Sequence, residues 1–257
     1  MTADARTCVV TGAASGIGAA TAAHLESLGH RVIGVDLAGT DIAADLSTPE
    51  GRLGMVDAVG EATSGRIDAV IANAGTSTGT PLDVRVNYFG AVATLAGLRP
   101  FLLGSDAPRA VATASSSIHL ATDAAVVDAC LADDEDAAVA ASERAGLLTY
   151  PSTKRALARW VRRMAPTEEW AGAGIALNAV APGIILTPMT VGPLEVDGVK
   201  DMFDASVPMP FGGYGRPESV ARVIAFLAAA ESDMITGQVL FVDGGADAVN
   251  RGEDIWP

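Results

Sequence analysis

The feature that most constrains this chain is the regular exchange of short, mostly continuous apolar runs with longer helical stretches. Strand-like runs occur at Thr7–Thr11, Arg31–Asp36, 42–46, 68–73, 110–115, 175–180 and Val239–Val242. Helical patterns fall between them at 17–28, Pro49–Thr63, 82–103, 148–170 and 217–230. A strand that is apolar throughout, rather than at every second position, is expected to be covered on both faces. Parallel neighbours need a long crossover, usually a helix, and this order supplies one almost everywhere. The expected fold is therefore α/β: a single doubly wound domain over residues 1–257, with a seven-stranded parallel sheet. Its ligand site should lie at the carboxyl ends of the strands, where strand order reverses.

Two intervals depart from this rhythm. Residues 37–41 are too few for a helix, so the second and third strands should be joined by a tight link. Conversely, residues 120–147 form an extra helical insert, including an acidic run at Asp133, Asp134, Glu135 and Asp136. A solvated surface helix is the plain expectation for that run. A flap or an oligomer contact beside the site is the sharper one.

Charge excludes several partners. The formal net charge of −14 disfavours nucleic acid and anionic membrane surfaces, both of which attract basic proteins. It does not disfavour a dinucleotide, which can be held by local backbone dipoles. No apolar run reaches the roughly 20 residues of a spanning helix, and residues 1–7 lack the apolar core of a signal peptide, so a cytoplasmic location is expected. Two cysteines, Cys8 and Cys130, make neither a disulfide framework nor a metal site. No His, Cys and carboxylate grouping has metal-ligand spacing, and no metal is expected.

The first chemical signal is Thr11-Gly12-Ala13-Ala14-Ser15-Gly16-Ile17-Gly18, between the first strand and the first helix. Gly12, Gly16 and Gly18 allow a tight turn and close approach of backbone to a pyrophosphate, and the helix start offers free N–H groups around Ser15 and Ile17. That context makes the domain Rossmann-type. The second strand closes on Asp36-Leu37, where a carboxylate can accept from both adenosine ribose hydroxyls and would repel a 2′-phosphate. No basic residue stands at Ala13, Ala14, Ser15 or Leu37 to offset that repulsion, so NAD is expected over NADP. Asp45-Leu46 should meet the adenine. Asn73-Ala74-Gly75 should leave room for ribose, with Asn73 better suited to tying strands together.

The decisive pair is Tyr150 and Lys154 in Tyr150-Pro151-Ser152-Thr153-Lys154. Residues four apart share a helical face. A phenol titrates near 10, too high for a base at neutral pH, and a neighbouring ammonium should stabilise the phenolate. The same ammonium can hold the nicotinamide ribose. Tyr150 is thus expected as proton donor or acceptor for a hydride transfer.

With these residues stand a serine run after the fifth strand, Thr113-Ala114-Ser115-Ser116-Ser117, and Pro182-Gly183 followed by Ile185 and Thr187. Together they resemble the short-chain dehydrogenase/reductase family along essentially the whole chain. Val86-Asn87-Tyr88-Phe89-Gly90, Asp45-Leu46-Ser47-Thr48 and Val242-Asp243-Gly244-Gly245 look most similar to bacterial 3α-hydroxysteroid dehydrogenase/carbonyl reductases, which also carry such an insert and a short second crossover. The resemblance implies that Tyr150 is the acid/base and that Lys154 lowers its pKa and binds ribose. It implies that a serine steadies the substrate oxygen, and that Asn87 holds a water linking Lys154 to solvent. The strand end favours Ser115 for the serine, with Ser116 next. Ile185 backbone and the Thr187 hydroxyl should bind the carboxamide beside Pro182 and Gly183. Asp243 and Gly244 match a structural motif. Ala176 replaces an arginine frequent in the family.

The substrate is expected to be a hydrophobic secondary alcohol or its ketone, of hydroxysteroid, terpenoid or aryl/cyclic ketone type. Segment 187–212 carries Met189, Leu194, Val199, Met202, Phe203, Met209 and Phe211, which suit an apolar ligand and could order upon it. The same residues could instead pack the segment down. A small amino alcohol or other polar alcohol, another reaction on the same fold, and a non-catalytic dinucleotide sensor remain as alternatives. His119, after the serines, is expected to pack rather than react; His24 and His30 are read as structural. Residues 249–257, with Trp256, could lie near a pocket or a subunit contact. The family resemblance implies a homo-oligomer, a dimer or tetramer.

Overall fold

A computed structural model describes residues 5–255. Among these, the strands are β1 (Thr7–Thr11), β2 (Arg31–Asp36), β3 (Ile42–Ala43), β4 (Ala69–Ala72), β5 (Arg109–Thr113), β6 (Ala176–Pro182) and β7 (Val239–Val242). All pair in parallel, in the order β3-β2-β1-β4-β5-β6-β7. Order reverses between β1 and β4, which pair through Val9 and Val70. The crevice above that pair is where a doubly wound sheet opens for a ligand.

The sheet is clad on both faces because successive side chains point to opposite sides. Val9, Val70, Ala110 and Leu177 face a core completed by Met55 and Val59 of α2 (Pro49–Thr63), Leu95 and Leu98 of α4 (Ala91–Leu102), and Leu157 and Val161 of α7 (Thr149–Met164). Their neighbours Cys8, Val10, Ile71 and Val111 face the other core. There Leu25 of α1 (Gly16–Ser27) meets Val220 and Ile224 of α10 (Pro217–Ala228). Edge strand β7 does not follow the expected burial: Leu240 is 42% exposed, because no strand or helix lies beyond it among the described residues.

Several boundaries differ from expectation. The third strand stops at Ala43, and residues 44–48 turn away to meet α2, whose first N–H groups are capped by Thr48. The helix expected at 82–103 is built in three parts: α3 (Pro81–Val84), a wide π-type turn at Arg85–Gly90, and α4. Such turns displace the i→i−4 bonding and concentrate at functional positions. The helix expected at 148–170 ends at Met164, and residues beyond it turn back to cover the core with Trp170.

Residues 120–147 are two helices, α5 (Ala124–Leu131) and α6 (Glu135–Ala145), broken where Asp133 takes a left-handed φ of 60°. Val126, Val127, Cys130, Ala138 and Ala141 are buried in the first core. The acidic run is therefore more than a solvated face: Asp134 accepts from Ala137 N at 2.9 Å and caps α6, and Glu135 is engaged by a buried arginine. Segment 187–212 is already folded, with α8 (Pro188–Leu194) and α9 (Val199–Ser206). The chain closes with α11 (Ala246–Arg251). Trp256 lies outside the described residues. Among those residues no helix is long and apolar enough to cross a membrane.

Candidate active site

A cavity of about 310 Å³ opens at the carboxyl ends of β1 and β4. Every residue singled out from the sequence for catalysis or cofactor lines it, except Gly18 and Asn87. These two support the lining from behind.

At one end the turn after β1 runs against the end of β4. Gly12 has φ +71°, and a Cβ there would sit 2.9 Å from both Ala74 Cα and Asn73 Nδ2. A Cβ on Gly18 would press into the Gly12 carbonyl and come within 2.6 Å of Asn73 Nδ2. These glycines make room for Asn73, whose amide donates to Thr11 O at 3.2 Å and accepts from Thr113 Oγ1 at 3.2 Å. Asn73 thus ties β1, β4 and β5 together, although it also reaches the cavity wall.

The start of α1 is built for an anion. Ser15 makes no capping hydrogen bond, and no acidic residue stands in the first turn, so the positive end of the helix faces the cavity without a side-chain partner. By contrast, α2 is capped by Thr48 Oγ1, which accepts from Gly51 N at 3.0 Å. A Cβ on Gly16 would lie 3.2 Å from Thr187 Cγ2, which places the far wall of the cavity directly across. Asp36 accepts from Ala14 N at 2.9 Å and from Leu37 N at 2.7 Å, so it cinches the turn and keeps lone pairs free toward the cavity. These features fit a dinucleotide.

The other end carries the ionisable groups. Tyr150 and Lys154 share the inner face of α7, as the four-residue spacing requires. Lys154 is buried and its Nζ donates to Thr113 O at 2.8 Å; it stands 6.0 Å from the Tyr150 ring centroid. Burial pushes its pKa down to about 8, against the field of buried Asp83. The phenol of Tyr150 is pushed above its ordinary value by burial; the Ser115 hydroxyl partners it and works downward, while Asp83 works upward. The Lys154 ammonium is itself desolvated and donates one of its hydrogen bonds to a carbonyl.

Ser115, rather than Ser116 or Ser117, lines the cavity. It sits in extended backbone after β5 and caps a short 3-10 turn (Ser116–His119) by accepting from Ser117 N at 3.1 Å. Asn87, in the π-type turn, clasps the backbone of Thr76 by two hydrogen bonds of 2.8 and 2.9 Å and donates to Thr153 Oγ1 at 3.3 Å. It holds the Thr76 wall and the Tyr150 helix together rather than reaching the cavity. Fully buried Asp83 secures the same loop, accepting from Thr76 Oγ1 at 2.8 Å and Gly79 N at 2.8 Å.

Sequence reasoning missed Thr76, Thr113 and Thr190, which line the cavity. Thr190 had a readable signal, since it stands three residues after Thr187 at the start of α8. It accepts from Thr187 N at 3.0 Å and donates to Ile185 O at 2.5 Å, which shapes the turn between the two predicted carboxamide contacts. Asp83 had none. In the segment 187–212, Met189 faces the cavity, whereas Phe203 and Met209 pack with Ile184 and Val207. His119 stacks on Phe241 and reaches Asp247 at 2.5 Å, away from the cavity lining. Asp243 accepts from Gly245 N and Asp247 N, a structural part as expected.

Comparison with known proteins agrees with this geometry. A family model described as enoyl-(acyl carrier protein) reductase matches residues 12–247. A 3-alpha-hydroxysteroid dehydrogenase/carbonyl reductase of Comamonas testosteroni is 36% identical over 252 residues, 95% of this chain and 97% of that protein. The chain belongs to the short-chain dehydrogenase/reductase family. A cis-4-hydroxycyclohexanecarboxylate dehydrogenase of Sinomonas cyclohexanicum is 33% identical over 95% of this chain and 97% of its own length. Among solved structures, the 3-alpha-hydroxysteroid dehydrogenase of Pseudomonas sp. B-0831 complexed with NADH superposes with a TM-score of 0.90 at 38% identity. That match covers 97% of this chain and all of the other. Within the family the chain is therefore similar to dehydrogenases and carbonyl reductases that act on alcohols and ketones.

Proposed function

We propose that this protein interconverts a hydrophobic secondary alcohol and its ketone, with NAD as the hydride carrier. The observation that carries the reading is that Ser115, Tyr150 and Lys154 line one cavity with an uncapped helix start and Asp36. When bound, the nicotinamide supplies or accepts the hydride. The α1 N-terminus holds the pyrophosphate, and Asp36 accepts from the adenosine ribose hydroxyls. Ile185 and Thr187, braced by Thr190, orient the carboxamide. Lys154 holds the second ribose.

In the oxidative direction Tyr150 takes the hydroxyl proton of the substrate while Ser115 donates to its oxygen; reduction runs the proton back. The cavity lining also includes the apolar Leu82, Val86 and Met189, which suit a cyclic or steroidal alcohol. Support for that class comes also from the hydroxysteroid and hydroxycyclohexane activities in the names of the relatives. Among the described cavity residues Lys154 is the only cation, which leaves a 2′-phosphate near Asp36 without a counter-charge.

The test is NADH formation with a panel of 3-hydroxysteroids, cyclic terpenols and amino alcohols, run also with NADP. Turnover of the apolar alcohols with NAD is expected. Tyr150→Phe should lower kcat by about a thousandfold or more and leave NADH affinity within about twofold. Preference for NADP overturns the cofactor assignment. NADH binding without turnover of any alcohol makes the protein a sensor instead.

A further inference from the structure

One buried side chain fastens the paired helices α5 and α6 to the cavity. Arg52, near the start of α2, is 8% exposed. Its Nη1 donates to Glu135 Oε2 at 2.6 Å and its Nη2 to Glu135 Oε1 at 2.9 Å, a two-pronged fork onto the first turn of α6. The same guanidinium donates through Nε to Leu46 O at 2.8 Å and through Nη2 to Arg85 O at 3.0 Å, with a longer approach to Ser47 O at 3.4 Å. Its carbon lies 5.8 Å from the Phe89 ring centroid. Asp45 and Leu46 line the cavity on the side of Asp36.

The carbonyls of Leu46 and Ser47 have no strand partner, because β3 ends at Ala43 and the chain then turns toward α2. Asp45 braces the turn locally, accepting from Ser47 N at 2.9 Å and Thr48 N at 3.2 Å, and the Leu46 side chain is buried in the first core; what the turn does not supply is a group to hold the Leu46 carbonyl. A planar guanidinium with a fixed fork can do so, provided its charge is matched in the dry interior. Glu135 supplies that match from 83 residues away. Without it the guanidinium is left buried and unpaired, a costly state that is relieved by moving the arginine outward and releasing Leu46.

We propose that Arg52 and Glu135 form a latch through which residues 120–147 set the adenosine-side wall of the cofactor cavity, so that Glu135 is a positioning residue for the adenosine half of NAD. The proposal rests on the dinucleotide reading above. It separates from a merely stabilising ion pair by selectivity. A latch on Leu46 affects ligands carrying adenosine and spares ligands that occupy only the Tyr150 end.

The experiment measures dissociation constants for NADH, ADP-ribose and reduced nicotinamide mononucleotide by titration calorimetry. Glu135→Gln should weaken NADH and ADP-ribose about tenfold, the size of one lost charge-assisted hydrogen bond. It should leave the mononucleotide unchanged. Arg52→Lys keeps the charge but loses the fork and should behave alike; it also carries the test if Glu135→Gln fails to fold. Asp136→Asn removes an exposed charge from the same helical turn and should change none of the three. Equal weakening of all three ligands, or no weakening of any, overturns the latch. If the unaltered protein binds neither NADH nor ADP-ribose, the dinucleotide reading itself falls, and the latch with it.

Discussion

Lys154 should cost the folded protein stability, and replacing it with methionine exposes that cost. The side chain is 4% exposed, and burial brings its pKa from 10.5 to about 8. Between those two values the unfolded chain carries more protons than the folded one, so this residue makes stability rise with pH across the window. Below pH 8 the full penalty is present: roughly 2.5 pH units at about 1.36 kcal/mol each gives roughly 3 kcal/mol. Lys154→Met removes the penalty but leaves the Thr113 carbonyl without its donor, costing about 1 kcal/mol. The net gain at pH 7 is about 2 kcal/mol. For a domain of this size that raises Tm by about 4–8 °C. Above pH 10.5 the lysine is neutral in both states, and the variant should be slightly the less stable of the two. Scanning calorimetry of the cofactor-free proteins at pH 7 and pH 10.5 reads both signs. A variant that melts lower at pH 7, or a Tm difference that ignores pH, refutes the reasoning. The variant should also lose activity, as expected where stability is traded for a functional charge.

Two substitutions should move the pH dependence of alcohol oxidation in opposite directions. Ser115→Ala removes the hydrogen bond that lowers the Tyr150 pKa, so the acid limb of kcat/KM should shift to higher pH. Asp83→Asn removes the field that raises it, so the limb should shift to lower pH, even if loop damage also reduces the rate. A pH–rate profile in which both limbs stay in place would dismiss these assignments. Gly12→Ala forces a side chain into φ +71° and within 2.9 Å of Ala74 Cα. It should destabilise the fold by about 2 kcal/mol or more and weaken NADH binding together; denaturant melts and NADH titration check the pair, and normal values for both would count against the packing argument.

Most of the sheet was legible because it depends on local composition. Continuous apolar runs marked β1, β4, β5 and β6 as covered on both faces, and each is buried almost throughout. The exception, β7, has the same composition but stands at the edge, and sheet order is not written in one strand's residues. The insert was legible as helical and acidic. Its break at Asp133 and the burial of its apolar side were not, since both follow from where its neighbours stand. Ser115, favoured in the sequence by its place at the strand end, is the serine of the three that lines the cavity.

By itself the sequence determined what depends on residues near in the chain. Glycines without a Cβ allowed the turn after β1, four-residue spacing put Tyr150 and Lys154 on one face, and apolar periodicity chose strands and helices. The tertiary structure alone decided what depends on burial and charge from afar. Lys154 donates a hydrogen bond to the carbonyl of Thr113, 41 residues away, Asp83 acts on both ionisable groups of the site, and Glu135 holds Arg52 from 83 residues away. Desolvation and Coulomb energies are set by whatever surrounds a group in space, and the order of the chain does not encode that separately from the fold.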